Sequence, residues 1–403
     1  MTDKEPVLTD ITETTAVMCR LNNKGIVAVA RPSRRLLPTK TSRFFSLKTR
    51  PQVALVAVLL AIVGACALLG PSATDLESVA RNTALLWDVN EVEVLEEIPS
   101  ALRDNLADLS DPEQGYLPVF WHVLKSGGTA VQDICVLCLG LTAASEIGAL
   151  KGHGEDLSLR ILEINFDQKH VNVDTTVVPG MERAKKLGLA ESRLAEVLFT
   201  PLLIETADII LDKNHKGRMF AMFRHPLDRA VLQFYYLRHA TWEPTYNPQL
   251  LKMNITTFAH SPLVESNWMV RSLVGKMEVA LTEEDIAAAK EIIKTKCLVG
   301  LMDRMEESVE RFRQYFGFDI NKKDNAISCI NQFTSKDGKR GNRNTHPNPL
   351  VEGDSAWNEL ARKNHADISL YELAEQLFKD QSALVDKLNI TEKEKEIAVE
   401  VKT

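Results

Sequence analysis

The chain has 403 residues, of which 45% are hydrophobic and 26% are charged, so it can bury one large core or two smaller ones. A formal net charge of −7 and an isoelectric point near 5.8 argue against a protein that binds nucleic acid through its overall charge. Six cysteines in this length exclude a small disulfide-dense fold and leave one or two bridges possible.

The N-terminal part is predicted to contain a membrane anchor. Residues 1–52 show no sustained apolar period and are expected to form a basic, largely disordered cytoplasmic tail. Residues 53–70 carry no charge, and about 18 apolar residues just span a bilayer as a helix. A signal peptide is the rival interpretation, but it would lie unusually far from the N-terminus. Because basic residues precede this segment and acidic ones follow it, we expect a single-pass type II protein with a lumenal body.

The rest of the chain divides into a predicted stem at 71–115, a folded domain at 116–390 and a charged tail at 391–403. Glycosylation sequons at Asn254 and Asn389 give modest support to a lumenal body. Cys135 and Cys138 lie about one turn apart in a predicted helix, where we expect packed thiols. No second Cys/His pair stands at zinc spacing, so no metal site is expected.

From residue 116 onward, strand-like and helix-like segments alternate, which favours an α/β fold with a mainly parallel sheet and helices on both faces. The predicted strands lie at 119–123, 159–166, 171–176, 195–199, 218–224 and 297–301. The predicted helices lie at 130–141, 181–187, 226–239, 283–296, 305–316 and, in one or two pieces, 354–388, with a further helix starting at Pro201.

Residues 116–130 read YLPVFWHVLKSGGTA, an apolar strand followed by a glycine turn and a helix start. The two glycines let the backbone approach a ligand, and the first amides of a helix have no partner within it. These amides and the helix dipole form an anion site, to which Lys125 adds a charge and Thr129 a hydroxyl. The lysine precedes the glycines, unlike the lysine of a Walker loop. The plainer alternative is an ordinary turn with a solvated lysine.

A second turn has the same design. Arg224 ends a predicted strand, and Pro226 begins the next helix. In an open parallel sheet the ligand lies beyond the carboxyl ends of the strands, so two such turns can hold two phosphate groups of one nucleotide. Alternatively, Arg224 and Arg229 pair with surface acids, and Tyr235 and Tyr236 are core residues.

These two stretches resemble motifs of the Golgi carbohydrate sulfotransferases, including the heparan sulfate sulfotransferases. HVLKSGGT at 122–129 resembles the family's 5′-phosphosulfate loop, and RHPLDRAVLQFYYLR at 224–238 resembles its 3′-phosphate segment. Weaker similarity at 267–273, 297–308 and 370–378 extends the likeness over about residues 116–380. The resemblance implies a P-loop-NTPase-like fold that uses 3′-phosphoadenosine 5′-phosphosulfate (PAPS) as cosubstrate, without a metal. It also implies a Golgi membrane enzyme that sulfates a glycan or polysaccharide.

The resemblance also implies roles for individual residues. By position, Lys125 contacts the bridging oxygen of the leaving phosphate and Arg224 binds the 3′-phosphate. The 5′-phosphate is assigned to Ser126, Gly127, Gly128 and Thr129. Two residues depart from the family pattern: Leu124 replaces a proline, and Leu232 replaces a serine expected to donate to the 3′-phosphate. Either that contact is lost, or a neighbour such as Arg271 or the basic segment 339–343 replaces it.

The transfer also requires a general base, which related enzymes take from His or Glu. The candidates before and between the motifs are His122, Glu163, His170 and Asp174. His170 is favoured because it lies between two predicted strands, and the alternative is an exposed loop histidine. His122 has a plainer role as a core residue or backbone support.

Three functions remain open. The leading one is sulfuryl transfer from PAPS to a glycan. The second is a degenerate P-loop phosphotransferase, which would require magnesium and a Walker-B aspartate that the sequence does not offer. The third is a non-catalytic nucleotide or glycan binder, which the substitution at Leu232 motivates.

Overall fold

The computed structural model describes residues 97–111, 113, 115–164, 168–241, 243, 245–335 and 350–384. The predicted cytoplasmic tail, the anchor at 53–70, the sequon at Asn389 and the segment 339–343 lie outside these residues. Within the described ranges, no helix combines the length and the apolar character needed to cross a bilayer.

A seven-stranded sheet, counted over the described residues, organises the domain. Its strands are β1 (Leu117–Trp121), β2 (Ala143–Ala144), β3 (Ile161–Ile164), β4 (Gln168–Val171), β5 (Val197–Thr200), β6 (Gly217–Phe223) and β7 (Cys297–Leu301). They lie side by side in the order β3-β4-β2-β5-β1-β6-β7, and every pair is parallel except β3 with β4. The carboxyl ends of β1, β2, β5, β6 and β7 therefore share one edge.

Helices fill the connections between the strands. They are α1 (Ser100–Asn105), α2 (Gly128–Asp133), α3 (Val178–Lys186), α4 (Leu189–Ser192), α5 (Leu203–Ile209), α6 (Pro226–Leu237), α7 (Ile255–His260), α8 (Trp268–Val274), α9 (Glu283–Lys296), α10 (Met305–Phe316), α11 (Ala326–Thr334), α12 (Ser355–Lys363) and α13 (His365–Asp380). A π-helical turn, Ile134–Cys138, continues α2, and 3₁₀ segments lie at Glu146–Glu155, Pro248–Lys252, Met302–Arg304 and Ile320–Lys322.

The core lies on both faces of the sheet, because successive side chains of a strand point to opposite sides. In β1, Val119 and Trp121 belong to the cluster with α1, α5, α8, α9 and α13. Phe120 points the other way and packs with α2, α10 and α11. The predicted α/β fold with a mainly parallel sheet and helices on both faces is confirmed.

Two predicted elements differ in the structure. The strand predicted at 171–176 ends at Val171, because the residues after it satisfy their polar groups through side chains. Asn172 bonds to Arg160 N at 2.7 Å, and the Thr175 hydroxyl donates to Phe199 O at 2.7 Å. The helix predicted at 130–141 starts earlier, at Gly128, and ends as the π-turn before Gly140, whose φ is +65°.

Part of the predicted stem belongs to the folded domain. Leu102 and Leu106 are fully buried in the core. The amide of Ala107 donates to Gly217 O at 2.8 Å, beside the start of β6. Residues 98–109 were expected in the stem because their apolar spacing alone does not indicate the tertiary contacts that bury Leu102 and Leu106.

A disulfide joins Cys138 to Cys329, with a Cα–Cα distance of 5.4 Å. The expectation that Cys138 is a packed thiol is therefore wrong, whereas Cys135 is a free and buried thiol. The bridge ties the π-turn after α2 to α11, across 191 residues of sequence.

Candidate active site

The two turns singled out in the sequence open into one cavity of about 1410 Å³. They meet there because β1 and β6 are adjacent parallel strands, paired from Leu117–Gly217 to Trp121–Ala221. The turn after β1 contributes Lys125, Gly127 and Thr129 to the lining, and the turn after β6 contributes Arg224. The sheet topology thus brings two cationic side chains to one site.

The glycines of the first turn are required by close packing. Gly127 caps α2 with φ +87°, and a Cβ there would lie 2.4 Å from Met302 Sδ. A Cβ on Gly128 would lie 2.3 Å from the ring of His122. Ser126 is fully buried, and its Oγ has no hydrogen-bond partner. A buried hydroxyl without a partner is costly, so this turn suits a ligand that supplies an acceptor.

Lys125 lies at the cavity wall against an aromatic ring. Its Nζ is 2.8 Å from the ring centroid of Tyr236, a residue of α6 that also lines the cavity. The Tyr236 hydroxyl donates to Glu243 Oε1. This cation–π contact holds the ammonium group at the wall of the cavity.

Arg224 is partly buried, and burial lowers its guanidinium pKa while the charges of Asp228 and Tyr371 oppose the shift. Leu232, where the sequence pattern calls for a serine, is buried. Gln233, the next residue of α6, lines the cavity, and its Oε1 has no partner. Gln233 therefore offers the cavity a polar group close to the position of the expected serine.

His122 lines the cavity directly, with its ring against Gly128. Burial, and then the charge of Lys125, lowers its pKa to about 4. The imidazole is therefore neutral near pH 7 and able to accept a proton.

Glu146 is a second titratable group at this edge, and no sequence pattern indicated it. It follows β2, which has only two residues and leaves no alternating pattern. Burial, and to a smaller extent the charge of Asp174, raises the pKa of Glu146 to about 7, and its Oε2 has no partner. Its side chain is buried and does not line the cavity.

His170, favoured in the sequence as the base, lies inside the sheet and not in the cavity lining. It is buried in β4, with Nδ1 3.5 Å from Ser145 Oγ, and burial lowers its pKa to about 4. Of the other two candidates, Glu163 belongs to β3, and Asp174 accepts a hydrogen bond from Thr176 N at 2.8 Å.

Arg271 also lies outside the cavity lining. Its guanidinium donates to backbone carbonyls on either side of α8, including Ser266 O and Lys276 O, both at 2.9 Å. These bonds give Arg271 a role in holding the end of α8 and the following turn.

Among the described residues, one group of side chains has the composition of a metal site: Glu191, Asp212 and His215. Lys185 already occupies that position, with Nζ 3.2 Å from Asp212 and 3.5 Å from Glu191. The group lies outside the cavity lining.

Comparison with known proteins adds little to this description. Neither a known protein family nor a curated protein matches the chain. Among solved structures, the chain is similar to mouse sulfotransferase SULT7A1 complexed with PAP, at 14% identity over 75% of this chain and 95% of that one. The TM-score is 0.31, too low for the similarity to carry an argument.

Proposed function

We propose that this protein is a sulfotransferase that moves a sulfuryl group from PAPS to a hydroxyl of a glycan. The observation that carries the proposal is the meeting of two strand-end turns, one with Lys125 and one with Arg224, in a single cavity. PAPS carries phosphate at both the 5′ and 3′ positions, so it is a ligand that needs two such sites. The cavity of about 1410 Å³ has room for a nucleotide and an acceptor together.

The residues of the first turn suit the phosphosulfate end. The buried Ser126 Oγ and the amides of Gly127 and Gly128 would bind the 5′-phosphate, with Thr129 beside them. Lys125 would neutralise the charge that builds on the leaving phosphate oxygen, which requires its Nζ to move from the Tyr236 ring to the ligand.

The residues of the second turn suit the 3′-phosphate. Arg224 would supply the charge, and the Nε2 amide of Gln233, which lines the cavity, would supply a donor in place of the serine. With Gln233 as the donor, the loss of the serine at Leu232 would not by itself favour a non-catalytic binder. Arg271 is not needed for it, since its guanidinium is engaged by backbone carbonyls.

In the proposed reaction the acceptor oxygen forms a bond to sulfur as the bond from sulfur to the phosphate oxygen breaks. The electron pair of that bond leaves with adenosine 3′,5′-bisphosphate (PAP), and the acceptor proton passes to a base. His122 is the proposed base, because it is neutral and lies in the cavity. Glu146, whose pKa is higher, is the stronger base but does not line the cavity.

The Golgi lumen is the proposed location, with residues 53–70 as the membrane anchor. The bridge between Cys138 and Cys329 supports an oxidising compartment. Enzymatic deglycosylation that shifts the mobility of the expressed protein, with loss of that shift in Asn254→Gln, would support the orientation. Full protease sensitivity of the body in intact microsomes would contradict it.

Calorimetric titration with PAP and with AMP tests the nucleotide assignment. We expect PAP to bind at least tenfold more tightly than AMP, because only PAP engages Arg224. Arg224→Ala should reduce this preference, and Lys379→Ala, an exposed substitution on α13, should not. Equal affinity for PAP and AMP would contradict the proposal. Tighter binding of ATP with magnesium than of PAP would also contradict it.

A further inference from the structure

A second part of the cavity has a different chemical character from the phosphate turns. It is built by α10, α11 and the 3₁₀ segments before them. Its apolar lining includes Val309, Ile320, Ile327, Ile330 and Phe333. Ile327 is 63% exposed, so its side chain is accessible to a ligand in the cavity. A surface of this kind is stabilised when a ligand covers it with an apolar group.

The rim of this region is acidic. It carries four carboxylates and two guanidinium groups, from Asp303, Glu306, Glu307, Glu310, Arg304 and Arg313. The buried Arg311 lies 3.5 Å from Glu307, which leaves this group a formal charge of −1. Both arginines are engaged by neighbouring acids: Arg304 pairs with Glu307, and Arg313 bonds Glu310 at 2.6 Å. The negative charge of the rim would therefore oppose an anionic acceptor.

The apolar lining on α11 is also held in place by a disulfide before any ligand binds. Cys329 of α11 is bonded to Cys138, in the π-turn that continues the phosphate-loop helix. The apolar surface therefore does not have to be ordered by the acceptor, which reduces the entropy cost of binding.

Resting on the proposed function, we propose that the acceptor is an uncharged glycoside with an apolar aglycone, and not a sulfated or otherwise anionic polysaccharide. The aglycone lies against Ile327, Ile330 and Phe333, and the sugar hydroxyl points toward the phosphate turns. The two cations at those turns are taken by the phosphate groups of the nucleotide, so they are not available to an anionic sugar. Charge and apolar surface thus select the same class of acceptor.

Calorimetry on the full chain loaded with PAP tests this acceptor class. The probes are octyl β-galactoside below its micelle concentration, methyl β-galactoside and a sulfated oligosaccharide. The octyl compound should bind at least tenfold more tightly than the methyl compound, because its longer alkyl chain buries more apolar surface. The sulfated oligosaccharide should bind more weakly than the octyl galactoside.

Single substitutions distinguish the contribution of the apolar lining from non-specific effects of mutation. Ile327→Ser should reduce the ratio of the affinities for octyl and methyl galactoside about threefold or more. Its affinity for the methyl galactoside should equal that of wild type. Its matched control is Leu157→Ser, because Leu157 is 95% exposed and lies outside the cavity lining. Glu306→Lys should improve binding of the sulfated probe a few-fold, and the exposed Glu372→Lys on α13 should not.

Three results would overturn the inference: equal affinity for the two galactosides, no binding of either, or stronger binding of the sulfated probe than of the octyl galactoside. PAP binding is measured in a separate titration without acceptor. If PAP is preferred over AMP but chain length has no effect, the acceptor inference alone fails. If PAP is not preferred, the proposed nucleotide function fails whatever the galactosides do.

Discussion

At the residue scale, Gln233 of α6 determines whether Leu232, in place of the expected serine, weakens binding of the 3′-phosphate. Gln233 lines the cavity, whereas Leu232 is buried and does not line it. We predict that Gln233→Leu weakens PAP binding about tenfold, since a hydrogen bond to a charged group contributes about 1.5–3 kcal/mol. Binding of AMP, which has no 3′-phosphate, should be unchanged. Leu232→Ser is the matched control and should not tighten PAP binding; if it does, the serine position is the true contact.

The two candidate bases make different predictions for the dependence of turnover on pH. The pKa of His122 is lowered to about 4, so transfer through His122 should be constant above about pH 5 and fall only in acid. The pKa of Glu146 is raised to about 7, so transfer through Glu146 should rise up to pH 7 and then level. We predict the first profile at saturating substrate, with its acidic limb lost in His122→Gln. If turnover instead rises with pH up to about 7, and this rise is absent in Glu146→Gln, the base is Glu146.

Site residues at the ends of strands could be predicted from the sequence only where the strand itself had a recognisable pattern. The turns at Lys125 and Arg224 follow strands of five and seven residues, both with compact apolar sequences. Glu146 follows a two-residue strand that leaves no pattern, and the burial that shifts its pKa comes from residues distant in sequence. His170 was expected between two strands, but it belongs to β4, where its side chain is buried.

At the scale of elements, the bridge from Cys138 to Cys329 joins two helices that form parts of one cavity. We predict that reduction of the wild-type protein lowers its free energy of unfolding by about 2–4 kcal/mol, as expected for a bridge closing a long loop. A reductant should have no effect on the Cys138→Ser/Cys329→Ser variant, because Cys135 and Cys297 are free thiols. Chemical denaturation with and without reductant measures the difference. An unchanged wild type would contradict the bridge.

Long, apolar or well-capped elements were predictable, and short or antiparallel ones were not. The helix α9 was recognised from Thr282 and the acids that follow it, and the structure shows the capping box that Thr282 forms with Asp285. By contrast, β3 was expected in a mainly parallel sheet but pairs antiparallel with β4. Their connection spans only residues 165–167, too short for the crossover that a parallel pair requires.

At the scale of the whole molecule, stability should fall in mild acid because two histidines, the buried His170 and the half-buried His122, are neutral. The pKa values of His122 and His170 are lowered from 6.5 to about 4, with burial as the main cause in both. A depressed histidine pKa stabilises the fold above pH 6.5, and this contribution is lost as the pH falls toward 4. Each histidine contributes on the order of 3 kcal/mol over that window. His170→Gln should flatten the dependence of unfolding free energy on pH, and an unchanged slope would contradict the buried neutral state.

The most direct test of the central claim is transfer of radiolabelled sulfate from PAPS by wild type and by Lys125→Ala. Because Lys125 would act on charge that develops as the sulfuryl group leaves, its loss should lower kcat about a hundredfold or more. PAP affinity should change much less, since Ser126 and the amides of Gly127 and Gly128 remain. Lys379→Ala serves as the control and should match wild type. Equal transfer by wild type and Lys125→Ala, or no transfer by wild type to neutral or anionic glycans, would contradict the account.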